Sequence, residues 1–455
     1  MTTSSRVPRR TVLQEHPVKQ HLRYTVPALA SACALALSAC GGDDGGESSG
    51  AAGGGSGSGG SKAQGIDPAS IETAKGNVTL CAPALTIEAA KAAVKQAATE
   101  ASGLKVDVIT LPDAADEQNA QFVRRQRAKS GECDVFESDV VWTAQFAAQD
   151  WLLNVTDYVN ARKAEFIPST LETATYEKSY FGVPEKTDAG LLYYRKDRTA
   201  TPPDTWQALY SQAKDAGGLV YQGKAYEGLT VHFLEVAYGA GGKVLSDDGT
   251  KSEINSPENL AALKLMADGV KNGAVPKAVL TYQEGESQQA FDSGKPGFMR
   301  NWPYAYSLEK ESKTEAVKKN FDVAPLPTFE GGQAAGVLGG SNLVISKFSK
   351  NPSAALKLVD VMTNADAMRL RATEYSLAPV LNESYDDAEI KKALPFSDAL
   401  KTAVEQAQAR PVSPAYTQVS TAISSNVAKA LSGRTTPEAA LEAADKAISS
   451  ALTTF

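Results

Sequence analysis

Gly76-Asn77-Val78-Thr79-Leu80, the Ala-rich run of residues 87–102, and Val106-Asp107-Val108-Ile109-Thr110 make up the stretch that decides the fold. The first run reads as a buried strand. The second mixes Ala with Lys and Glu and reads as a helix, which Gly103 ends. In the third, Val106, Val108 and Thr110 alternate with Asp107 and Ile109 as a second strand. The rhythm continues with a basic helix over 117–130, a strand at Asp134-Val135-Phe136 and helical character over 142–152. Strand alternating with helix predicts an α/β architecture, a parallel sheet covered by helices.

The same rhythm returns downstream. Leu191-Leu192-Tyr193-Tyr194 reads as a strand, and a helix over 206–216 is capped near Asp204. Another helix spans 257–270, with Ser256 as its cap and Pro257 at its first position. Asn351-Pro352 and Thr436-Pro437-Glu438 start two more, and from about residue 351 onward the chain reads as almost entirely helical. In open α/β sheets ligands bind beyond the carboxyl ends of the strands, so two such lobes would face each other across a cleft.

The chain has 455 residues and a formal net charge of −7. The first 39 residues carry five Lys/Arg against one Glu, so removing them takes the net charge to −11. An acidic body argues against nucleic acid or an anionic membrane surface as partner. Arg6, Arg9, Arg10, Lys19 and Arg23 form a basic leader, and residues 26–39 are uncharged but too short to span a bilayer, which needs about 20 apolar residues. Leu37-Ser38-Ala39-Cys40 followed by Gly41-Gly42-Asp43-Asp44 resembles a bacterial lipoprotein signal. That resemblance implies removal of residues 1–39, lipidation of Cys40, and attachment to the membrane through this N-terminal lipid only. Residues 40–65, rich in Gly and Ser, read as a flexible spacer. The remaining roughly 390 residues exceed what one core normally holds, so two lobes are expected.

Signals for catalysis are sparse. Beyond the leader the chain has one histidine, His232, which reads as a structural residue; metal clusters and His-dependent triads are therefore not expected. A phosphate-cradling glycine loop followed by Lys-Ser/Thr is absent. No cofactor or metal is implied. Cys81 and Cys133 could pair in an oxidising compartment. If their strands are parallel neighbours, however, Cys81 at the end of one and Cys133 at the start of the other would lie beyond the roughly 7 Å Cα limit for a bridge, so the pairing stays open. Glu88, Asp139 and Asp188 each follow a strand or lead into one. Paired carboxylates such as Asp139 and Asp188 could serve a glycosidase if they lay about 5 to 9.5 Å apart.

Aromatics beside acids and guanidinium groups are more telling. Sugar rings need flat apolar platforms, and their hydroxyls need carboxylates to accept and guanidinium groups to donate. Asp139-Val140-Val141-Trp142, Tyr226-Glu227-Gly228 and Met299-Arg300-Asn301-Trp302-Pro303-Tyr304-Ala305-Tyr306 hold such combinations, with Arg300 the donor of the third. Trp142 and Trp151 read as core.

At these residues the chain resembles a family 1 extracellular solute-binding protein of a carbohydrate ABC transporter, close to the trehalose/maltose-binding branch. The resemblance runs through Cys133-Asp134-Val135-Phe136-Glu137-Ser138-Asp139, Gly182-Val183-Pro184, Asp188-Ala189-Gly190-Leu191-Leu192-Tyr193-Tyr194-Arg195, Tyr221-Gln222-Gly223-Lys224, Arg300-Asn301-Trp302-Pro303-Tyr304, Ala324-Pro325-Leu326-Pro327, Leu338-Gly339-Gly340 and Arg410-Pro411, in the family's order over about residues 76–455. It implies a type II periplasmic-binding-protein fold: two interleaved α/β lobes, 66–187 with 326–375 and 188–325 with 376–455, hinged around a ligand cleft. Asp139 and Asp188 would accept from hydroxyls. Trp302 and Tyr304 would stack, Gly339 and Gly340 would let backbone approach the sugar, Arg410 would donate, and Glu88 would add a further contact. Two positions depart from the branch: Ser341 stands where an aromatic follows the double glycine, and Lys186 where a Tyr precedes the aspartate.

The expected function is a monomeric, extracytoplasmic, lipid-tethered receptor. It would capture a small oligosaccharide such as trehalose or maltose and deliver it to ABC permease subunits, without catalysis. A secreted glycoside hydrolase using Asp139 and Asp188, or a sensory sugar receptor, are the alternatives.

Overall fold

The computed structural model describes residues 65–333 and 336–454; the leader, Cys40 and all but the last residue of the spacer lie outside them. In chain order the strands are β1 (Gly76–Pro83), β2 (Leu104–Leu111), β3 (Val135–Asp139), a small hairpin of β4 (Thr175–Tyr176) and β5 (Ser179–Tyr180), β6 (Val183–Asp188), β7 (Leu191–Arg195), β8 (Leu219–Val220), β9 (Phe298–Asn301), β10 (Phe321–Pro325) and β11 (Gly339–Ile345). They form one five-stranded sheet, ordered β2-β1-β3-β11-β6, and one four-stranded sheet, ordered β10-β7-β9-β8.

Alternation along each strand of the first sheet sends side chains to two separate cores. Leu80, Ala82, Val135, Leu343 and Ile345 pack with Ala90, Ala93 and Ala97 of the helix Ile87–Glu100 and with Leu356, Leu358 and Val359 of the helix Pro352–Met362. Cys81, Phe136 and Val344 face the other way, onto Phe122 of the helix Ala115–Arg127, Trp142 and Phe146. There Phe122 stacks on Phe146 at 3.9 Å between ring centroids and meets Phe136 edge-on at 4.2 Å. The second sheet builds one larger core around Leu191–Tyr194, Phe298 and Met299. The helices Glu227–Gly239, Pro257–Asn272, Tyr416–Leu431 and Pro437–Leu452 contribute to it.

The sheets are mixed, not parallel as the sequence rhythm predicted. β2, β1 and β3 do run parallel, but β11 is antiparallel to β3 and β6, and β7 is antiparallel to β9 and β10. The cause is the crossing of the chain between sheets. β7 begins three residues after β6 ends, and β11 begins after the chain returns from β10. Both enter their sheets at the end where their neighbours finish, so both must run against them.

Helical character over 142–152 proves shorter: a 3-10 turn over Val140–Trp142 leads into a helix over Thr143–Ala148. Asp150 then takes φ 56°, and Leu152 pairs as a bridge with Ser346 at the sheet's margin. The helix at 206, expected to be capped near Asp204, is capped by the adjacent Thr205, whose hydroxyl accepts from the Ala208 N–H. Cys81 and Cys133 are joined, with 5.9 Å between their Cα atoms. The obstacle foreseen from sequence does not arise because β1 runs on past Cys81 to Pro83, and Cys133 precedes β3 in a segment held against β1 by the Asp134 N–H donating to the Thr79 carbonyl.

Candidate functional site

The carboxyl ends of β1, β3, β6 and β9 and the start of β11 converge on a cavity of about 800 Å³, its open mouth included. Pro83, Leu85, Thr86, Asp113, Asp139, Lys186, Asp188 and Gly339-Gly340-Ser341 line it from the side of the first sheet. Glu227, Gly228 and Val231 of the Glu227 helix, Glu284, Trp302, Tyr304 and Arg410 line it from the other.

Trp302 follows β9 directly, and its backbone is fixed by the Tyr193 hydroxyl donating to the Trp302 carbonyl at 2.8 Å. Behind the indole lies the Arg300 guanidinium, 3.9 Å from the ring centroid and fully buried. Arg300 donates to both oxygens of Glu235, through Nε at 2.8 Å and through Nη2, and its Nη1 donates to Gln222 at 2.9 Å. Burial alone would raise the Glu235 carboxyl, but Arg300 and His232 hold it below its usual range. Burial keeps His232 neutral by lowering its pKa. A Cβ at Gly190 would collide with Glu235 Oε1, and one at Gly339 would meet the Trp302 ring at 3.1 Å. The glycines therefore admit the ion pair and the indole. Tyr304 is buried, and its hydroxyl has no hydrogen-bond partner among the described residues.

Asp139 caps the turn that follows β3, accepting from the Val141 N–H at 3.1 Å, and also accepts from Arg410 Nη2 at 2.8 Å. Arg410 Nη1 donates to Glu227 at 2.7 Å, and Glu227 is further held by the Tyr416 hydroxyl at 2.6 Å and by Ser420. This joins the two sides of the cavity. Two further bonds do the same: the Glu227 N–H to Asp116 at 3.3 Å and the Thr417 hydroxyl to Gln145 at 3.0 Å.

The lining is rich in acceptors. Lys186 is matched by Glu137, and Arg410 by Asp139 and Glu227, whereas Asp113, Asp188 and Glu284 have no ion-pair partner among the described residues. Asp188 is enclosed by protein yet keeps a face open to the cavity; burial pushes its carboxyl up to about 7, with Lys186 working against that and Glu185 adding to it. Burial raises Glu284 as well, against the Tyr226 hydroxyl that donates to it at 2.6 Å. Burial and then Glu286 raise Asp113. Ionised carboxylates accept hydrogen bonds and protonated ones can also donate, so such a lining suits a ligand whose groups both donate and accept, as the hydroxyls of a polyhydroxylated molecule do.

Of the nine ligand-contact residues expected from sequence, Asp139, Asp188, Trp302, Tyr304, Gly339, Gly340 and Arg410 meet at the cavity. Two do not. Glu88 is exposed on the outer face of its helix and pairs with Lys91 at 2.8 Å, because a 3-10 turn over Ala84–Thr86 brings Leu85 and Thr86 to the cavity instead. Arg300 lies beneath Trp302 and touches the indole rather than the cavity. Sequence reasoning did not single out Asp113, Glu227 or Glu284 as contacts. Asp113 stands just past the end of β2, where the strand-end rule points. Glu227 sat inside a quoted segment, and Glu284, at the start of the helix Glu284–Asp292, carries no local signal.

The sequence model for the bacterial extracellular solute-binding proteins matches residues 83–369. A probable ABC transporter-binding protein of Deinococcus radiodurans is 35% identical over 363 residues, covering 75% of this chain and 85% of that one. Among solved structures, maltose-bound MalE3 of T. maritima superposes with a TM-score of 0.78 at 35% identity, over 82% of this chain and 98% of that one. A solute-binding protein of Thermotoga lettingae bound with α-D-tagatose gives 0.76 at 26% identity, over 83% and 99%.

Proposed function

The chain belongs to the bacterial extracellular solute-binding proteins, two-lobed components of ABC transporters for sugars, and from that premise we propose that its cavity captures a small oligosaccharide, a maltose- or trehalose-like disaccharide foremost, for delivery to a membrane permease. The observation that carries this reading is the Trp302 indole, braced from behind and facing a cavity whose lining acids outnumber their cationic partners. The indole offers a face to the C–H side of a pyranose. Asp188 and Glu284 accept from hydroxyls, and the Gly339-Gly340 backbone lets the ring approach closely. Gly340 has φ 110°, which side chains rarely adopt, and a Cβ there would strike the Lys186 carbonyl. A ligand touching both lobes favours the closed arrangement over an open one by its differential affinity, and the hinge answers to that difference.

In this reading Cys40 carries the lipid that tethers the receptor, residues 41–65 give it reach, and it works as a monomer with its permease. A thermal-shift screen across trehalose, maltose and sucrose tests the function: one of them raises the melting temperature, and a flat response to all three refutes the disaccharide assignment. Prolonged incubation of the responding sugar separates receptor from hydrolase. Intact sugar is expected, and released monosaccharide would favour a glycosidase built on Asp139 and Asp188.

A further inference from the structure

β6 and β11 pair Gly339 with Asp188, Gly340 with Thr187 and Ser341 with Lys186, and then the register shifts so that Asn342 meets Pro184. One residue of β6 is therefore extra. Such a bulge re-aims the side chains beside it. Here it lets Glu185 turn away to Arg371, with which it forms a fully buried pair, while Lys186 faces the cavity. The Lys186 ammonium donates to Glu137 Oε1 at 2.7 Å and to the Ser341 hydroxyl. Glu137 also accepts from Thr86 and Ser341, each at 3.3 Å. Lys186 and Ser341 face each other across the β6–β11 pairing and bond to each other there. Burial alone would push the Lys186 pKa down, but Glu137, Glu185 and Asp188 around it raise it, so the ammonium stays charged. An ammonium has three N–H donors, and two are used.

We propose that Lys186 is a specificity-determining residue: held by Glu137 and Ser341, it presents its remaining N–H to a hydroxyl oxygen of the sugar, so that this wall grips one sugar unit by hydrogen bonds while Trp302 stacks the other. Because Glu137 already balances its charge, the wall selects a neutral hydroxyl rather than an anion. The next residue of β6 to line the cavity, Asp188, accepts where Lys186 donates, and the pair suits neighbouring hydroxyls on one ring. This rests on the oligosaccharide reading above and assigns part of the specificity within it.

The test uses whichever of trehalose, maltose and sucrose binds the wild-type protein most tightly, together with its monodeoxy analogues, by titration calorimetry. Lys186→Met alone strands Glu137, so the working variant is Glu137→Gln with Lys186→Met, which removes both charges; its melting temperature checks that it folds. We expect a 10- to 100-fold loss of affinity for the parent sugar. We also expect one deoxy analogue to bind wild type about 10-fold more weakly than the parent yet bind the double variant as well as the parent does. A merely structural role for Lys186 would leave every deoxy penalty unchanged. Wild type binding while the double variant keeps both affinity and deoxy profile overturns the role of Lys186 alone; wild type binding none of the three sugars overturns the disaccharide assignment and this one with it.

Discussion

The two walls of the cavity are each backed by a buried cation–carboxylate pair, and they use it differently. On the second-sheet side Arg300 and Glu235 are wholly enclosed and meet the cavity only through the Trp302 indole laid over them. On the first-sheet side Lys186, 8% exposed, lies at the surface of the cavity itself, with Glu137 buried behind it. In one wall the charge braces an apolar platform; in the other the charge is the contact. A guanidinium suits the first task, because its plane stacks on an aromatic face while its edge bonds a carboxylate. An ammonium suits the second, as a compact donor with a hydrogen to spare. Charge near a ligand site is thus no guide to function until its depth is known.

The sharpest way to break this comparison is to remove each cation. Arg300→Met leaves Glu235 with only His232 beside it in a dry interior and is expected to cost about 3–5 kcal/mol of stability in urea denaturation. Lys186→Met strands Glu137 too, but leaves it the Thr86 and Ser341 hydroxyls as donors, and is expected to cost less than half as much. Equal losses would mean the two pairs are energetically alike. Next, Trp302→Ala should weaken sugar binding by about 30-fold, or roughly 2 kcal/mol. If Arg300 acts only as a brace, Arg300→Met adds no further loss of affinity in that background, which calorimetry on the double variant reads directly.

A third measurement concerns Asp188. Its carboxyl is raised from 3.8 to about 7 in the folded protein. The unfolded chain therefore gives up this proton first, and the folded protein keeps it until about pH 7, so this group withdraws stability as pH rises between about 4 and 7 and is neutral in effect below that window. Asp188→Asn should lack this slope relative to wild type while weakening sugar binding by about 10-fold; identical pH profiles would show that Asp188 titrates normally. The smallest effect is expected from Asp139→Asn. Arg410 keeps Glu227, and the lost pair is partly open to water, so a change of about 1 kcal/mol or less in affinity or stability should follow.

Much of this was legible in the chain. Strand and helix order, the caps at Ser256 and Pro257, and the meeting of Trp302, Tyr304 and the Gly339-Gly340 backbone all follow from local pattern or motif. What sequence did not give is depth and direction. Arg300 and Trp302 stand two residues apart, but only the packing of Glu235 and Gln222 under β9 makes Arg300 a support instead of a contact. Glu88 lies two residues beyond Thr86, yet the turn over Ala84–Thr86 and the helix that follows rotate it to the outside. Asp139 and Arg410 were each expected to address the ligand, and they hold each other across the cavity. The strand directions depended on where the chain re-enters each sheet, which alternation cannot reveal.

The cross-link between Cys81 and Cys133 constrains the order in which the molecule can be made. Both sulfurs end up fully enclosed, packed with Phe122, Phe136 and Phe146, where no thiol–disulfide catalyst could reach them. The bond spans 52 residues and takes in β2 and two helices. Oxidation must therefore happen while that aromatic layer is still unassembled, so the first lobe matures on the clock of its oxidant, whereas the second, with no cysteine among its described residues, can condense without waiting.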